Sequence, residues 1–441
     1  MVARMTRSIR LLPLAALLAV AAPALATNGM NMEGYGPVST GMGGASQAID
    51  HGTAAMAQNP ATLGLMAPGA RLDAAIGLLG PKVASTMPGF GTADSGGTSY
   101  TMPAFGYARR NGALTYGIGI FAQGGMGTEY EANTFMGGGS GQPTRSELGV
   151  GRVLLPVAYQ VTPNLIVGAT LDYMWAGLDM RMAASGQQLG GMVTGVSGNL
   201  AMAMPAMAGA PWARVDFSNS SDFTGAAKAT GWAGKFGVVF KPDAAVTLGA
   251  SYQLKSALKD MTTGAKGASM SAFGGFADSG KITVVDFQWP SMLAVGGAWQ
   301  ASPQLLLAAD LKRIAWSGVM KNFRLRYDSA GMGGSVSFAL PQNWDDQTVL
   351  NIGMAYKVND QLTLRAGVNQ ADNPIPAMLV NPLFPATVES HYTLGLGYKI
   401  SAAGEFNGSV TIAPSATVTN GMGVVVTHKQ TNVQLMYTHR F

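Results

Sequence analysis

Tyr392, Leu394, Leu396, Tyr398 and Ile400 alternate with Thr393, Gly395, Gly397 and Lys399. A period of two places the first set on one face of a β-strand and the second on the other. The pattern recurs at Val246, Leu248, Ala250, Tyr252 and Leu254, at Leu350, Ile352, Met354, Tyr356 and Val358, and at Leu362, Leu364, Ala366 and Val368. It closes the chain, where Val433, Leu435, Tyr437 and Phe441 share a face and Asn432, Gln434, Thr438 and Arg440 take the other, with His439 the exception. Read along the whole length, it predicts fourteen strands, at about 71–80, 101–109, 113–121, 149–160, 164–176, 230–240, 245–256, 291–300, 304–313, 347–358, 361–370, 389–400, 404–413 and 431–441.

The connections between them alternate in length. Long ones (81–100, 122–148, 177–229, 257–290, 314–346, 371–388 and 414–430) are separated by short ones such as Arg110-Asn111-Gly112, Val161-Thr162-Pro163 and Asn359-Asp360. A soluble sandwich alternates within its strands too, but it has no reason to keep this parity. An outer-membrane barrel does, with short turns and both chain ends on the periplasmic side and long loops outside. The expected fold is therefore all-β: a 14-stranded antiparallel transmembrane β-barrel. Its apolar face carries Tyr159, Tyr173, Trp175, Tyr252, Trp299, Tyr356 and Tyr398 toward the interfaces, and Arg152, Asp172, Lys235, Lys255, Asp310, Lys312, Lys357, Arg365 and Lys399 fall on the lumen side.

Composition sharpens this. Charged residues are 12% of the chain, about half the share usual in soluble proteins, and glycines number 60. Outside the N-terminus no run of about 18 uninterrupted apolar residues occurs, so membrane crossing by helices is not expected. Arg4, Arg7 and Arg10, the apolar stretch Leu11 to Ala22 and the small-x-small Ala24-Leu25-Ala26 read as a signal peptide over 1–26. Its removal leaves 25 of the 28 Lys and Arg against 23 Asp and Glu, so the pI of 9.3 carries no nucleic-acid message. The absence of cysteine fits an exported chain that does without disulfides.

Residues 27–69 do not alternate, and they suit either a floppy tail or a plug folded inside the barrel of residues 70–441. Catalysis finds little support: the four histidines, His51, His391, His428 and His439, fit no nucleophile-base arrangement, and no metal-binding or phosphate-binding motif occurs. No catalytic residue, metal or cofactor is expected. The third long connection holds Met180, Met182, Leu189, Met192, Met202, Met204, Met207, Trp212 and Phe217 around an uncharged stretch. Flexible, polarizable methionines suit either adaptable capture of apolar molecules or packing of the loop on itself.

Several segments resemble the outer-membrane long-chain fatty acid and hydrocarbon transporters of the FadL/TodX type. They are Asn59-Pro60-Ala61, Tyr116 to Phe121 with Gly124 to Tyr130, Trp316-Ser317, Asn343-Trp344-Asp345-Asp346, Asn359 to Gly367 and Asp372-Asn373-Pro374-Ile375-Pro376. The resemblance implies a monomeric barrel among outer-membrane lipids, closed by an N-terminal hatch over 27–69, with Asn59, Pro60 and Ala61 in gating. It implies passive uptake of hydrophobic small molecules, captured on apolar external loops and released sideways through a strand kink. The lumen charges Arg365 and Lys399 could meet a fatty carboxylate or pair structurally. A general diffusion porin is the alternative function, and the choice among fatty acid, alkane and aromatic stays open.

Overall fold

The computed structural model describes residues 28–221 and 224–441; the expected signal peptide lies outside them. One antiparallel sheet closes on itself. Its wall runs through Gly69–Met87, Tyr100–Asn111, Leu114–Tyr130, Thr144–Thr162, Leu165–Ala184, Ala227–Phe240, Val246–Gln253, Met292–Gln300, Leu305–Ile314, Gln347–Lys357, Leu362–Ala371, Ser390–Lys399, Gly404–Thr419 and Val425–Arg440. Each is laddered to the next, and the last returns to the first from Arg71↔Arg440 to Thr86↔Val425. Closure gives every strand of this wall a partner on both sides along at least part of its length, as β-structure that crosses a membrane requires.

The expectation of fourteen strands is corrected, because among the described residues the sheet contains 23. Segments expected to be loops form strands of their own, among them Ala213–Phe217, Ala268–Ala272, Phe276–Val285, Asn322–Ser329 and Ser335–Pro341. Gly274-Gly275 and Gly333-Gly334, all with positive φ, turn two of these hairpins. Several wall strands also run long. Thr144–Thr162 and Leu165–Ala184 have 19 and 20 residues, against the roughly 9–11 that span a bilayer, so they rise beyond it, and Leu165–Ala184 carries the added strand Ala213–Phe217.

The two faces follow the alternation. Leu394, Leu396, Ile352, Leu435 and the aromatic residues Tyr159, Trp299, Tyr356 and Tyr398 are exposed on the outer wall, while Arg152, Asp172, Lys235, Asp310 and Lys312 are buried on the inner one. Three expected lumen charges depart from this. Lys357 and Lys399 are the final residues of their strands and are exposed beside short turns, and Lys255 is exposed in the break after Gln253.

Residues 28–66 lie inside the ring as a short helix, Gly36–Thr40, and two 3-10 turns, Gly52–Ala57 and Pro60–Leu65. Inward side chains of the wall bind their backbone. Asp310 accepts from the Ser46 and Gln47 amides at 2.7 and 3.1 Å, Lys312 donates to Gly44 O at 3.1 Å, and Asp73 accepts from the Thr53 amide at 2.6 Å. Arg152 pairs with Asp172 at 3.0 Å and donates to Ala57 O at 3.3 Å, and Lys235 donates to the same carbonyl. Arg71 reaches Asp50 at 2.6 Å. Each of these buried wall charges thus finds at least one partner in the segment or in another wall charge.

Candidate functional site

The wall parts between two of its strands. The ladder between Tyr100–Asn111 and Leu114–Tyr130 runs from Asn111↔Leu114 to Phe105↔Ile120 and stops there. Beyond that point Tyr100 to Ala104 stay paired to Gly69–Met87 on the other side, while Ala122 to Tyr130 stay paired to Thr144–Thr162. Pro103 lies in the parted stretch and offers no N–H to a ladder. Opposite it, the register shifts between Ala122 and Gly124. Gly124 has φ +154, and a side chain there would collide with the Met30 carbonyl.

The N-terminal segment covers the parted seam from inside. Asn31 bridges to Gly124, and the Gly125 amide donates to Met30 O at 3.2 Å. Asn31 Oδ1 accepts from Gln123 Nε2 and from Trp289 Nε1, each at 2.8 Å, and the Tyr35 hydroxyl donates to Gln123 O at 2.7 Å. Trp289 in turn stands edge-on to Trp316, and Trp316 to Trp344, with ring centroids 5.8 and 5.1 Å apart. Trp316 lies over Gly29, where a Cβ would come within 2.7 Å of the ring. Residues 29–31 are therefore held between an aromatic stack and a strand edge.

A cavity of about 400 Å³ opens at this place. Met30, Met102, Pro103, Phe121, Met126, Leu148 and Val150 give it an apolar lining, and Glu33, His391, His428 and Gln430 a polar end. Its lining also includes Ile120 and Trp175, which are 45% and 37% exposed on the outer wall. The cavity thus connects the lumen with the outer surface of the barrel. Its volume matches a small ligand site rather than a water-filled pore.

The comparisons agree with this architecture. Residues 14–422 match the family described as outer membrane protein transport protein (OMPP1/FadL/TodX). The chain belongs to this family. Among solved structures, the toluene transporter TodX of P. putida is 30% identical with a TM-score of 0.83, covering 93% of this chain and 99% of that one. The toluene transporter TbuX of Ralstonia pickettii is 32% identical with a TM-score of 0.79 and the same coverage. A 49-residue stretch is 59% identical to an uncharacterized protein of Chlorobium limicola, over 11% of this chain and only 24% of that one. Family and barrel place this FadL/TodX-type protein in the bacterial outer membrane and in a class of transporters.

In this FadL/TodX-type chain the expected site residues are dispersed. Asn59 Oδ1 accepts from the Ala61 amide at 3.1 Å, and Asn59 Nδ2 donates to Gln47 O at 2.8 Å and Val238 O at 3.2 Å. Gly168 and Gly237 let Asn59, Pro60 and Ala61 press against the wall there. None of the three lines the cavity. Of the long-loop residues, Met180, Met182, Leu189, Met207 and Phe217 are buried in the core of the sheet extension, Met192, Met204 and Trp212 are half-buried, and Met202 stands 73% exposed. Arg365 donates to Asn407 Oδ1 at 3.0 Å, and Lys399 is at the rim; neither borders the cavity.

Sequence reasoning passed over Met30, Asn31, Glu33, Gln123 and Trp289. The available signals were Pro103 inside a strand pattern and the Gly124-Gly125 pair, each of which marks a broken ladder.

Burial and charge also tune the segment. Burial alone pushes the Asp50 carboxyl up, but the adjacent Arg71 guanidinium holds it at about 2. Burial pulls His51 down to about 4, and its Nδ1 faces Ile49 O at 3.0 Å.

Proposed function

We propose that this protein is a passive channel for small neutral apolar molecules, with monoaromatic hydrocarbons foremost. Residues 28–66 act as the hatch that blocks straight passage, and cargo leaves sideways through the parted seam. One observation carries this reading: the apolar cavity joins the hatch to Ile120 and Trp175 on the lipid-facing wall. Exit there takes cargo from an apolar cavity into lipid without a return to water, which would cost about 0.8 kcal/mol per CH₂. TodX and TbuX, both toluene transporters, support the cargo class.

Capture begins at the long-loop end, where Met202 offers an exposed flexible side chain. Gating belongs to Met30 and Asn31 at the seam, with Asn59, Pro60 and Ala61 anchoring the hatch behind them. Both termini are assigned to the periplasmic side, where the short turns lie. A ring closed by one chain supports a monomer. Long-chain fatty acids are the less favoured cargo, because among the described residues no Lys or Arg lines the cavity while Glu33 and Glu147 do.

Uptake of labelled toluene, an alkane, oleate and a sugar by cells carrying the intact protein tests this reading. Ala122→Trp, which narrows the mouth of the seam, should slow toluene uptake severalfold. Sugar permeation without toluene uptake would establish a diffusion porin instead.

A further inference from the structure

We infer that Glu33 makes the cavity a recognition site for phenols, its carboxylate receiving the hydroxyl while the ring stays among apolar side chains. Glu33 is 5% exposed and lines the cavity. It has no ion-pair partner among the described residues, in contrast to Glu147, which pairs with Arg145. The bond it receives, from Asn432 Nδ2, is long at 3.4 Å. Asn432 Oδ1 is occupied by Gln430 Nε2 at 2.8 Å.

Positions 428, 430 and 432 face the same way on Val425–Arg440, so His428, Gln430 and Asn432 form a polar row beside Glu33. Lys312 and His391 lie within electrostatic range of Glu33 without pairing with it, and a buried carboxylate with no cation in contact is costly unless donors reach it. A phenolic O–H supplies one in a charge-assisted bond, and Met30, Met102 and Phe121 supply apolar contact for the ring. Toluene fills the same space and leaves Glu33 unserved. Benzoate brings a second negative charge and is disfavoured.

The inference rests on the channel reading above, and the two fail separately. Equilibrium dialysis of the purified full-length protein in detergent should compare radiolabelled toluene, p-cresol and benzoate. Toluene is the most apolar, so partition alone favours it. The expected order is p-cresol about tenfold tighter than toluene, with benzoate weakest. Glu33→Leu should abolish the p-cresol advantage over toluene, with the variant's fold read from the far-ultraviolet circular dichroism of its barrel; Glu33→Gln should retain part of the advantage. Toluene binding with no p-cresol preference, or a preference that survives Glu33→Leu, overturns the inference alone. Binding of neither compound overturns it together with the channel reading.

Discussion

The indole of Trp289 donates to the side chain of Asn31 at 2.8 Å, joining a residue of the barrel extension to a lumen residue 258 positions away. With the Gln123 bond to the same oxygen, it fixes the hatch across the parted seam. Trp289→Phe keeps an aromatic ring near Trp316 and removes the donor together with part of a fully buried side chain. Losing a neutral hydrogen bond costs about 1 kcal/mol, so the covered state should open several times more often. Amide hydrogen exchange at Asn31 and Met32 should accelerate by that factor, and toluene uptake should rise. Unchanged exchange at these amides would show that the bond is ornamental.

Acid should loosen the hatch in two steps. His51 is pulled down to about 4 from an ordinary 6.5, so below 6.5 the unfolded segment takes up a proton that the folded one refuses. Stability therefore falls as pH drops from about 6.5 to 4. The Asp50 carboxyl is held at about 2 against an ordinary 3.8, so its contribution is present above 3.8 and is lost as pH falls toward 2. Protease sensitivity of residues 28–66, followed from pH 7 to 2.5, should rise in both windows. His51→Gln should remove the upper step, and Asp50→Asn the lower.

The barrel was legible because its strands obey a local rule. Tyr392 to Ile400 must show lipid one face and the lumen the other, and that requirement is written in adjacent residues. The seam was not legible, since it depends on which strand fails to pair: 122–148 reads as a long connection, whereas Leu114–Tyr130 runs on as one strand past the point where its partner leaves it. Partner identity was hidden for the same reason. Asp310 was expected inside, but its bond to the Ser46 amide spans 264 positions. The methionine-rich loop left capture and packing open because both draw on the same residue type; Met180, Met182, Leu189, Met207 and Phe217 are buried in the core.

Met207 and Met202 separate the two roles within one helix, Leu200–Ala208. Met207 is buried and Met202 exposed. Met207→Ala should destabilise the barrel extension by about 2–5 kcal/mol, read as a lower denaturant midpoint for the loop region. Met202→Ser should leave that midpoint within about 0.5 kcal/mol. If Met202 takes part in capture, toluene uptake at low concentration falls in this variant while the rate at saturating toluene is kept.

Asn59 decides between anchoring and gating for the Asn-Pro-Ala turn. Its amide closes the Pro60–Leu65 turn and bonds to Gln47 O and Val238 O, in a stretch of wall remote from the cavity lining. Asn59→Leu leaves those carbonyls and the Ala61 amide unserved, and a buried polar group left without a partner costs about 1–3 kcal/mol. An anchoring role therefore predicts a hatch that exchanges and digests faster, with p-cresol and toluene binding unchanged in the molecules whose hatch is seated. Gly237→Val should reproduce the effect from the other side, since its side chain would press into Asn59 and Pro60. A variant that keeps normal hatch protection yet transports toluene at a different rate would return the turn to the gate.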